Sequence, residues 1–477
     1  MNTLSDSSRL GGFANLGPDF SDPVTPADFP QAIARFWNDR WADEIGLGAL
    51  SPDQRIAHFA RFEALPNNQI QPLAMRYHGH QFRHYNPDLG DGRGFLFAQL
   101  EDNQRRLLDL ATKGSGQTPY SRTADGRLTL KGALREILAA QMLEALGVYT
   151  SKPFAVFETG EDLIRHDEPS PARSAVLTRL GHSHLRFGSF QYHAFDQAPD
   201  RILTLIEHAL QTYYRDIEIG PDPATTLLEQ VVAASAKLVA SWMAAGFVHG
   251  VLNTDNMNVT GESFDYGPWR FLPHYEPGFT AAYFDESGLY AYGRQPEAVF
   301  WNLQQFAGAL SLAGDRLSLE AALNTFPALF RTAMTQAFLA RFGVASRGLE
   351  NDEALVRAFI TFMQSAPHPY EGVIFDWFTG AASRNRAMKS VRASIYVGDK
   401  FEIWHGLLMQ HDPIRPERLE HACLQADDPV CLNIDVVEET WKPIAEKDDW
   451  SLFQTLLDDI SQARKGYDLG KGRVGFL

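Results

Sequence analysis

A lysine that follows a strand and a glutamate inside a helix constrain the fold of this chain more than any other feature. The apolar run at residues 107–110 predicts a strand, and Lys113 lies just beyond it. Residues 129–147 predict a helix, because apolar residues recur on one face and Thr129 can cap the start. Glu136 lies inside that helix. An ion pair between the two side chains would hold in place a lysine that can reach phosphate groups.

A glycine-rich turn precedes another predicted strand. Gly90, Gly92 and Arg93 lie directly before the apolar run at residues 95–100. Glycines allow the backbone to approach a phosphate closely, successive N–H groups can bind it, and the arginine adds a fixed positive charge. The spacing matches neither a P-loop nor a dinucleotide-binding fingerprint, and a tight β-turn is the competing interpretation.

Oxygen-bearing side chains follow a long apolar helix in the second half of the chain. Residues 227–245 predict that helix, and His249 begins the loop after it. Asp255 offers a carboxylate for proton removal, while Asn256 and Asp265 offer oxygens that suit a hard cation such as Mg²⁺. An Asx-rich loop followed by a turn is the competing interpretation.

These elements follow the order found in protein kinases, from glycine-rich loop to Asp-aromatic-Gly turn. They predict an α+β, protein-kinase-like two-lobed fold. An N-terminal extension would occupy residues 1–70, a β-rich nucleotide-binding lobe 71–197, and a mainly helical lobe with a C-terminal extension 198–477. Kinases place their base two residues after the loop histidine, but Val251 stands there and cannot accept a proton. Asp255 is the nearest acid.

Other stretches complete the predicted order of elements. Residues 153–158 and 174–178 predict strands, and residues 31–41 predict an amphipathic helix. The boundary between the β-rich and helical parts is expected near residues 195–200. Scattered Pro, Asp and Glu predict a loop-rich stretch at residues 412–443.

The composition excludes several classes of protein. The chain has 477 residues and a net charge of −16, so we expect its surface to repel nucleic acid and anionic membranes. No apolar stretch reaches the roughly 20 residues that cross a bilayer, and no signal-peptide pattern opens the sequence. Cys423 and Cys431 are too few for a disulfide framework, which favours a reducing cytoplasm. The histidine spacings fit no zinc motif.

A set of specific motifs makes the chain similar to the selenoprotein O family, the SelO or YdiU proteins. The resemblance covers roughly residues 10–310. Its motifs are Gly79-His80-Gln81-Phe82, Leu89-Gly90-Asp91-Gly92-Arg93, Lys113-Gly114-Ser115-Gly116-Gln117-Thr118-Pro119-Tyr120-Ser121-Arg122, Asp125-Gly126-Arg127, Arg135-Glu136, Ser183-His184-Leu185-Arg186-Phe187-Gly188, His249-Gly250, Asn253-Thr254-Asp255-Asn256-Met257, Asp265-Tyr266-Gly267-Pro268, Tyr292-Gly293 and Gln295-Pro296.

The resemblance implies a kinase-like fold that transfers AMP, rather than phosphate, from ATP to protein hydroxyls and releases pyrophosphate. It implies ATP as substrate, Mg²⁺ or Mn²⁺ as cofactor, and proteins that carry Ser, Thr or Tyr hydroxyls as partners. The family binds ATP turned end for end relative to kinases, which places the α-phosphate at the reaction centre.

The resemblance also assigns roles to individual residues. Asp255 would be the proton acceptor, Asn256 and Asp265 would hold the metal, and Glu136 would anchor Lys113. Eight residues would contact the nucleotide, namely Gly90, Gly92, Arg93, Lys113, Asp125, Gly126, Arg179 and Arg186.

The sequence departs from the family pattern in places. Thr112, Ala124 and Lys131 replace an expected Leu, Gly and Arg, and leave the proposed phosphate and metal residues intact. The C-terminal third departs more, because it lacks the usual Asn-Pro…Leu-Arg-Asn stretch and ends Gly475-Phe476-Leu477 without the terminal Cys of many members. Redox control through that Cys is therefore not expected.

Two alternative functions stay open. The kinase-like order of elements favours a kinase-type phosphotransferase. The misplaced base and the divergent C-terminal third would suit a non-catalytic ATP-binding pseudokinase.

Overall fold

The protein combines antiparallel sheet in its first part with helices in its second. The computed structural model describes residues 12–165 and 168–469. The strands are β1 Ser21–Pro23, β2 Ile33–Trp37, β3 Leu73–Met75, β4 Gly79–Gln81, β5 His84–Asn86, β6 Leu96–Glu101, β7 Leu107–Lys113, β8 Leu128–Thr129, β9 Lys152–Leu163, β10 Ala172–Gly181, β11 Phe247–Val248 and β12 Arg270–Phe271.

The helices dominate the chain after residue 186. They are α1 Asp39–Glu44, α2 Pro52–Phe59, α3 Leu130–Ala145, α4 Phe187–Phe195, α5 Pro199–Tyr213, α6 Pro223–Ala244, α7 Gln295–Leu310, α8 Arg316–Leu323, α9 Phe326–Phe342, α10 Leu349–Met363, α11 Tyr370–Asp376, α12 Arg384–Ala387, α13 Asp399–Leu408, α14 Ile434–Lys447 and α15 Ser451–Tyr467. A short 3₁₀ turn, Thr254–Asn256, interrupts the loop after β11.

The main sheet has eight strands, with seven in the order β1-β3-β6-β7-β10-β9-β2 and β8 paired to β10. Strand β7 is buried along its whole length, because the sheet is covered on both faces. Leu177 of β10 faces the core that includes α3. Val176 and Leu180 face a second core that Phe59 and Phe154 help to fill. The ends of β7 and β10 lie at the junction between the sheet and the helical part.

Helix α3 packs directly on the sheet and bears out the predicted helix at 129–147. Thr129 caps it by accepting a hydrogen bond from the Gly132 N–H (3.1 Å). Leu134, Ile137 and Leu138 are buried on its core side. The final helix, α15, packs against α3 from the other end of the chain.

The helical part is built around α6, which contacts α5, α7, α8 and α9. The predicted helix at 227–245 is confirmed, and it begins four residues earlier, where Asp222 caps it and Pro223 opens it. A separate aromatic core joins α9, α10 and α13 through Phe359 and Trp404. Across the described residues, no helix is long and apolar enough to span a membrane.

The predicted helix at 31–41 is wrong. Ile33–Trp37 forms strand β2 on the edge of the sheet, paired with β9, and only Asp39–Glu44 is helical. Pairing with β9 supplies the hydrogen bonds that decided the outcome, because propensity in a short apolar segment yields to tertiary partners. The loop-rich stretch predicted at 412–443 also ends early, since α14 begins at Ile434.

Other predictions are confirmed or fall outside the described residues. The predicted strands at 153–158 and 174–178 lie within β9 and β10. The opening residues 1–11 and the terminal Gly475-Phe476-Leu477 lie outside the described residues. The division of the chain at residues 70 and 197 stays a prediction.

Candidate active site

Lys113 lies at the centre of a buried cluster of charges. Strand β7 ends at this lysine, and its ammonium donates to Glu136 of α3, as the sequence predicts. The same ammonium donates to Asp265 Oδ1 at 2.7 Å. The Lys113 and Glu136 side chains are only 6% and 3% exposed. The pair therefore links the sheet and helix α3 to the loop that carries Asp265.

Two arginines join the cluster from β10 and from the segment after it. Arg179, opposite Ala111 of β7 in the sheet, places Nη1 3.1 Å from Asp265 Oδ1. Arg186, the residue before α4, donates from Nη1 to the backbone carbonyl of Asp255 (2.8 Å). Both side chains are almost fully buried. Three cations thus converge on one side of the loops that carry Asp255 and Asp265.

The Asp265 carboxylate is the anionic counterpart of these cations. Burial alone would raise its pKa, but Lys113, Arg179 and Arg186 hold the pKa well below its usual range. Arg93 of the glycine-rich turn acts in the same direction. The residue has φ of +62°, a conformation that Asp tolerates better than most residues. Asp265 is therefore ionised and fixed in orientation.

Asp255 lies in the 3₁₀ turn beside this cluster. Its side chain is buried, and its Oδ1 has no hydrogen-bond partner within 12–165 and 168–469. Gly79 of strand β4 faces it so closely that a Cβ there would lie 2.8 Å from Oδ1. Burial raises the Asp255 pKa to about 6, although Arg186 opposes the shift. A buried carboxylate with one unpartnered oxygen can accept a proton or face a cation.

Asn256 follows Asp255 in the same 3₁₀ turn. Its Nδ2 donates to the backbone carbonyl of Val251 at 3.0 Å, which orients the side-chain amide and its oxygen. Amide and carboxylate oxygens are the ligands that Mg²⁺ and Mn²⁺ prefer. The side-chain oxygens of Asn256 and Asp265, together with the unpartnered Oδ1 of Asp255, are of the type that binds a hard divalent cation.

The glycine-rich turn packs where only glycine fits. A Cβ on Gly92 would lie 2.8 Å from the carbonyl oxygen of Tyr120, and one on Gly90 would lie 2.3 Å from the Tyr120 ring. The carbonyl of Arg93 accepts from the Gly114 N–H at 2.7 Å, which ties this turn to the residue after Lys113. The glycine-rich turn and the segment that carries Lys113 are therefore joined by a backbone hydrogen bond.

Asp125 and Gly126 lie beside the segment that follows Lys113. Gly126 has φ of +69°, and its carbonyl accepts from the Gly116 N–H at 3.1 Å. Asp125 is half exposed and pairs with Arg165 at 2.8 Å. The structure thus places these two residues beside the turn after Lys113 and not in the buried charge cluster.

The sequence reasoning missed residues that hold the loop of Asp255. Thr254 Oγ1 accepts from the His80 N–H and donates to Gln191 Oε1, both at 2.7 Å. Phe82 donates its backbone N–H to Asn253 at 3.1 Å. All of these residues except Gln191 lie inside motifs quoted for the family resemblance, and that membership was the available signal.

The sequence also did not predict that Asp91 and Tyr77 lie beside Arg186. Asp91 Oδ1 lies 3.3 Å from Arg186 Nη2, and the Tyr77 ring lies beneath the Arg186 guanidinium at 4.4 Å. Burial raises the Asp91 pKa, and Arg186 opposes that shift.

A buried lysine and two arginines around carboxylate and amide oxygens make up the class of site that binds phosphorylated ligands. Comparison with known proteins narrows this class. The chain belongs to the SelO family, because the model described as "Protein adenylyltransferase SelO" matches residues 7–461. The match extends far beyond residue 310, where the motif resemblance ended, so the C-terminal third is part of the family architecture.

Relatives across bacteria support this membership, each named "Protein nucleotidyltransferase YdiU". The protein of Trichodesmium erythraeum is 40% identical over 461 residues, which cover 93% of this chain and 96% of the relative. That of Gloeobacter violaceus is 40% identical over 471 residues, with 95% and 94% covered. That of Vibrio cholerae is 37% identical over 351 residues, with 74% and 71% covered.

Proposed function

We propose that this chain is a protein adenylyltransferase that transfers AMP from ATP to Ser, Thr or Tyr hydroxyls of proteins and releases pyrophosphate. The observation that carries the proposal is the contact of Lys113 and Arg179 with Asp265, whose other oxygen lies 3.9 Å from Arg186. Asp255 lies next to them, and its Oδ1 has no hydrogen-bond partner among the residues that the structure describes. Membership of the SelO family supports the same reaction. The strand-rich part, the helical part and the charged junction between them support a protein-kinase-like two-lobed fold.

The basic residues would neutralise the charge of the leaving group in AMP transfer. Attack on the α-phosphorus expels pyrophosphate, a leaving group with several negative charges that needs cations around it. Lys113, Arg179 and Arg186 would bind the β- and γ-phosphates, and Glu136 would hold Lys113 in place. Gly90, Gly92 and Arg93 would supply a close backbone approach and a further positive charge.

Asp125 and Gly126 lie outside the buried charge cluster. They lie beside the turn after Lys113, where they would contact the part of the nucleotide that extends out of the buried cluster. The Arg165 partner of Asp125 would then have to share this carboxylate with the nucleotide.

Asn256 and Asp265 would hold Mg²⁺ or Mn²⁺. When bound, such an ion neutralises phosphate charge and orients the phosphate chain. Lys113 and Arg179 both contact Oδ1 of Asp265, and Oδ2 lies 3.9 Å from Arg186 Nη1. ATP would draw these cations onto its phosphates and free the Asp265 carboxylate.

The transfer step uses Asp255 as the proton acceptor. The acceptor hydroxyl oxygen forms a bond to the α-phosphorus, the bond from that phosphorus to the bridging oxygen of pyrophosphate breaks, and the hydroxyl proton passes to Asp255. Burial raises the pKa of this carboxylate, and its Oδ1 has no hydrogen-bond partner among the described residues.

The test is transfer of label from ATP carrying it on the α-phosphate or, separately, on the γ-phosphate. We expect protein to become labelled only from the α position, and Asp255→Asn to abolish the transfer. Label from the γ position would indicate a kinase-type phosphotransferase. Nucleotide binding without any label on protein would indicate a pseudokinase.

The chemistry of AMP transfer indicates the partners, and the state of the cysteines indicates the compartment. The acceptors would be proteins with accessible hydroxyls. Both cysteines, Cys423 and Cys431, are free, which fits activity in a reducing cytoplasm.

A further inference from the structure

An acidic residue lies inside the glycine-rich turn, where a phosphate-binding site would be expected to avoid negative charge. Asp91 lies between Gly90 and Gly92, and its side chain is 12% exposed. Its backbone N–H donates to the Met75 carbonyl at 3.2 Å, and its Oδ2 accepts from the Met75 N–H at 3.1 Å. The turn is therefore fastened to strand β3 through both the backbone and the side chain of Asp91.

The other oxygen of Asp91 faces an arginine of the site. Asp91 Oδ1 lies 3.3 Å from Arg186 Nη2, while Arg186 Nη1 donates to the carbonyl of Asp255 at 2.8 Å. Nη1 also lies 3.9 Å from Asp265 Oδ2. The guanidinium is thus held between the glycine-rich turn and the loop of Asp255, within ion-pair range of Asp265 but beyond hydrogen-bond distance.

We propose that Asp91 is a positioning residue that holds the Arg186 guanidinium away from Asp265 and in line with the incoming phosphates. The inference rests on the proposed function, because Arg186 is assigned to the nucleotide there. Without the Asp91 carboxylate, Arg186 can close the remaining distance to Asp265 and occupy the oxygen that is to hold the metal.

The chemistry requires a carboxylate rather than an amide at position 91. Both oxygens of Asp91 accept from donors, one from Met75 and one from Arg186. An asparagine has one acceptor oxygen and one NH₂ group, so one of the two donors would face another donor. Asp91→Asn therefore breaks one of the two links with little change in volume.

The experiment measures the affinity of the full chain for α,β-methylene ATP with Mg²⁺ by isothermal titration calorimetry. This analogue cannot lose pyrophosphate, so binding is separated from turnover. We expect Asp91→Asn to weaken binding about tenfold, as loss of a hydrogen bond to a charged group does. Asp91→Ala, which introduces no opposing donor, is the second variant and should show a similar loss.

A matched control separates positioning from general damage. Asp376 is a buried aspartate that also pairs with an arginine, with Arg392 Nη2 at 2.7 Å. It lies in α11, away from the charge cluster. Asp376→Asn should lower the melting temperature but leave the affinity for the analogue within about twofold of the unaltered chain.

A double-mutant cycle with Arg186→Gln shows whether Asp91 acts through Arg186. In the Arg186→Gln background, Asp91→Asn should change the affinity by less than about twofold. An unchanged affinity in Asp91→Asn, or the same tenfold loss in both backgrounds, would overturn the inference. An unaltered chain that binds no analogue would instead overturn the proposed function, and this role of Asp91 with it.

Discussion

The Lys113 ammonium lies 2.7 Å from Asp265 Oδ1, although 152 positions separate the two residues in the chain. This contact joins the last residue of a central strand to a loop from the helical part. It also means that the carboxylate expected to hold a metal is neutralised by the protein's own cations before a ligand arrives. Several consequences of this arrangement can be measured.

Removal of the Asp265 charge should destabilise the ligand-free protein. Asp265→Asn keeps the shape and tolerates the positive φ, but removes one of the two carboxylates that Lys113 and Arg179 share, the other being Glu136. We expect the free energy of unfolding to fall by about 3 kcal/mol, the usual result of breaking a buried ion pair. Urea denaturation measures this value, with the exposed Asp88→Asn as control. Equal stability of the Asp265→Asn variant and the unaltered chain would contradict the expectation.

The charge of Glu136 that anchors Lys113 should matter for turnover. Glu136→Gln removes the charge that holds the lysine, and a misplaced cation is expected to lower the kcat of AMP transfer about a hundredfold. Glu144→Gln is the matched control on the same helix, since Glu144 pairs with Arg40 and Lys152 at the other end of α3. Comparable losses in both variants would mean that the integrity of the helix, rather than the lysine, is responsible.

The glycine-rich turn should not accept a side chain at position 92. Gly92→Ala would place a Cβ 2.8 Å from the backbone oxygen of Tyr120, and backbone atoms cannot move aside cheaply. We expect the turn to shift and the KM for ATP to rise about tenfold. Gly278→Ala, where no atom lies within 4 Å of the added Cβ, should leave the KM unchanged. An unaltered KM in Gly92→Ala would exclude this turn from the nucleotide site.

A buried glutamate outside the charge cluster should make stability depend on pH. Glu262 accepts from the His182 N–H at 2.8 Å, and burial raises its pKa to about 7, with Lys152 and Arg106 opposing the shift and Asp109 adding to it. The folded protein therefore binds this proton more tightly than the unfolded chain, where the pKa is about 4.5. The stabilising contribution is complete below pH 4.5 and is lost as the pH rises through 7.

The variant Glu262→Gln tests this dependence. Between pH 4.5 and 7 the unaltered chain should lose about 3 kcal/mol of unfolding free energy relative to the variant, since one pKa unit corresponds to about 1.4 kcal/mol. Chemical denaturation at a series of pH values provides the comparison. Parallel pH profiles for the two proteins would show that Glu262 does not titrate in this range.

The sequence predicts the parts of the site that local patterns determine. The helix at 129–147 has a cap, a one-sided apolar pattern and a terminating glycine, and α3 forms where expected. The helix depends on residues close together in the chain. The pairing of Lys113 with Glu136, 23 positions apart, also forms as predicted, because strand and helix each place their charged residue at the junction.

Long-range packing decides the features that the sequence did not reveal. Residues 31–41 carry apolar positions compatible with a helix, and only the neighbouring strand β9 makes Ile33–Trp37 a strand. The contact of Asp91 with Arg186 joins residues 95 positions apart, and no periodicity within either segment reports it. Thr254 likewise accepts a hydrogen bond from the backbone N–H of His80, which lies 174 positions away in the chain.

A structure of the protein with α,β-methylene ATP and Mg²⁺ tests the central claim most directly, because it shows which end of the nucleotide lies among the cations. AMP transfer predicts the β- and γ-phosphates at Lys113, Arg179 and Arg186, the metal at Asn256 and Asp265, and the α-phosphorus nearest Asp255. A γ-phosphate that points outward towards the acceptor, with the adenine buried in the cleft, would contradict it.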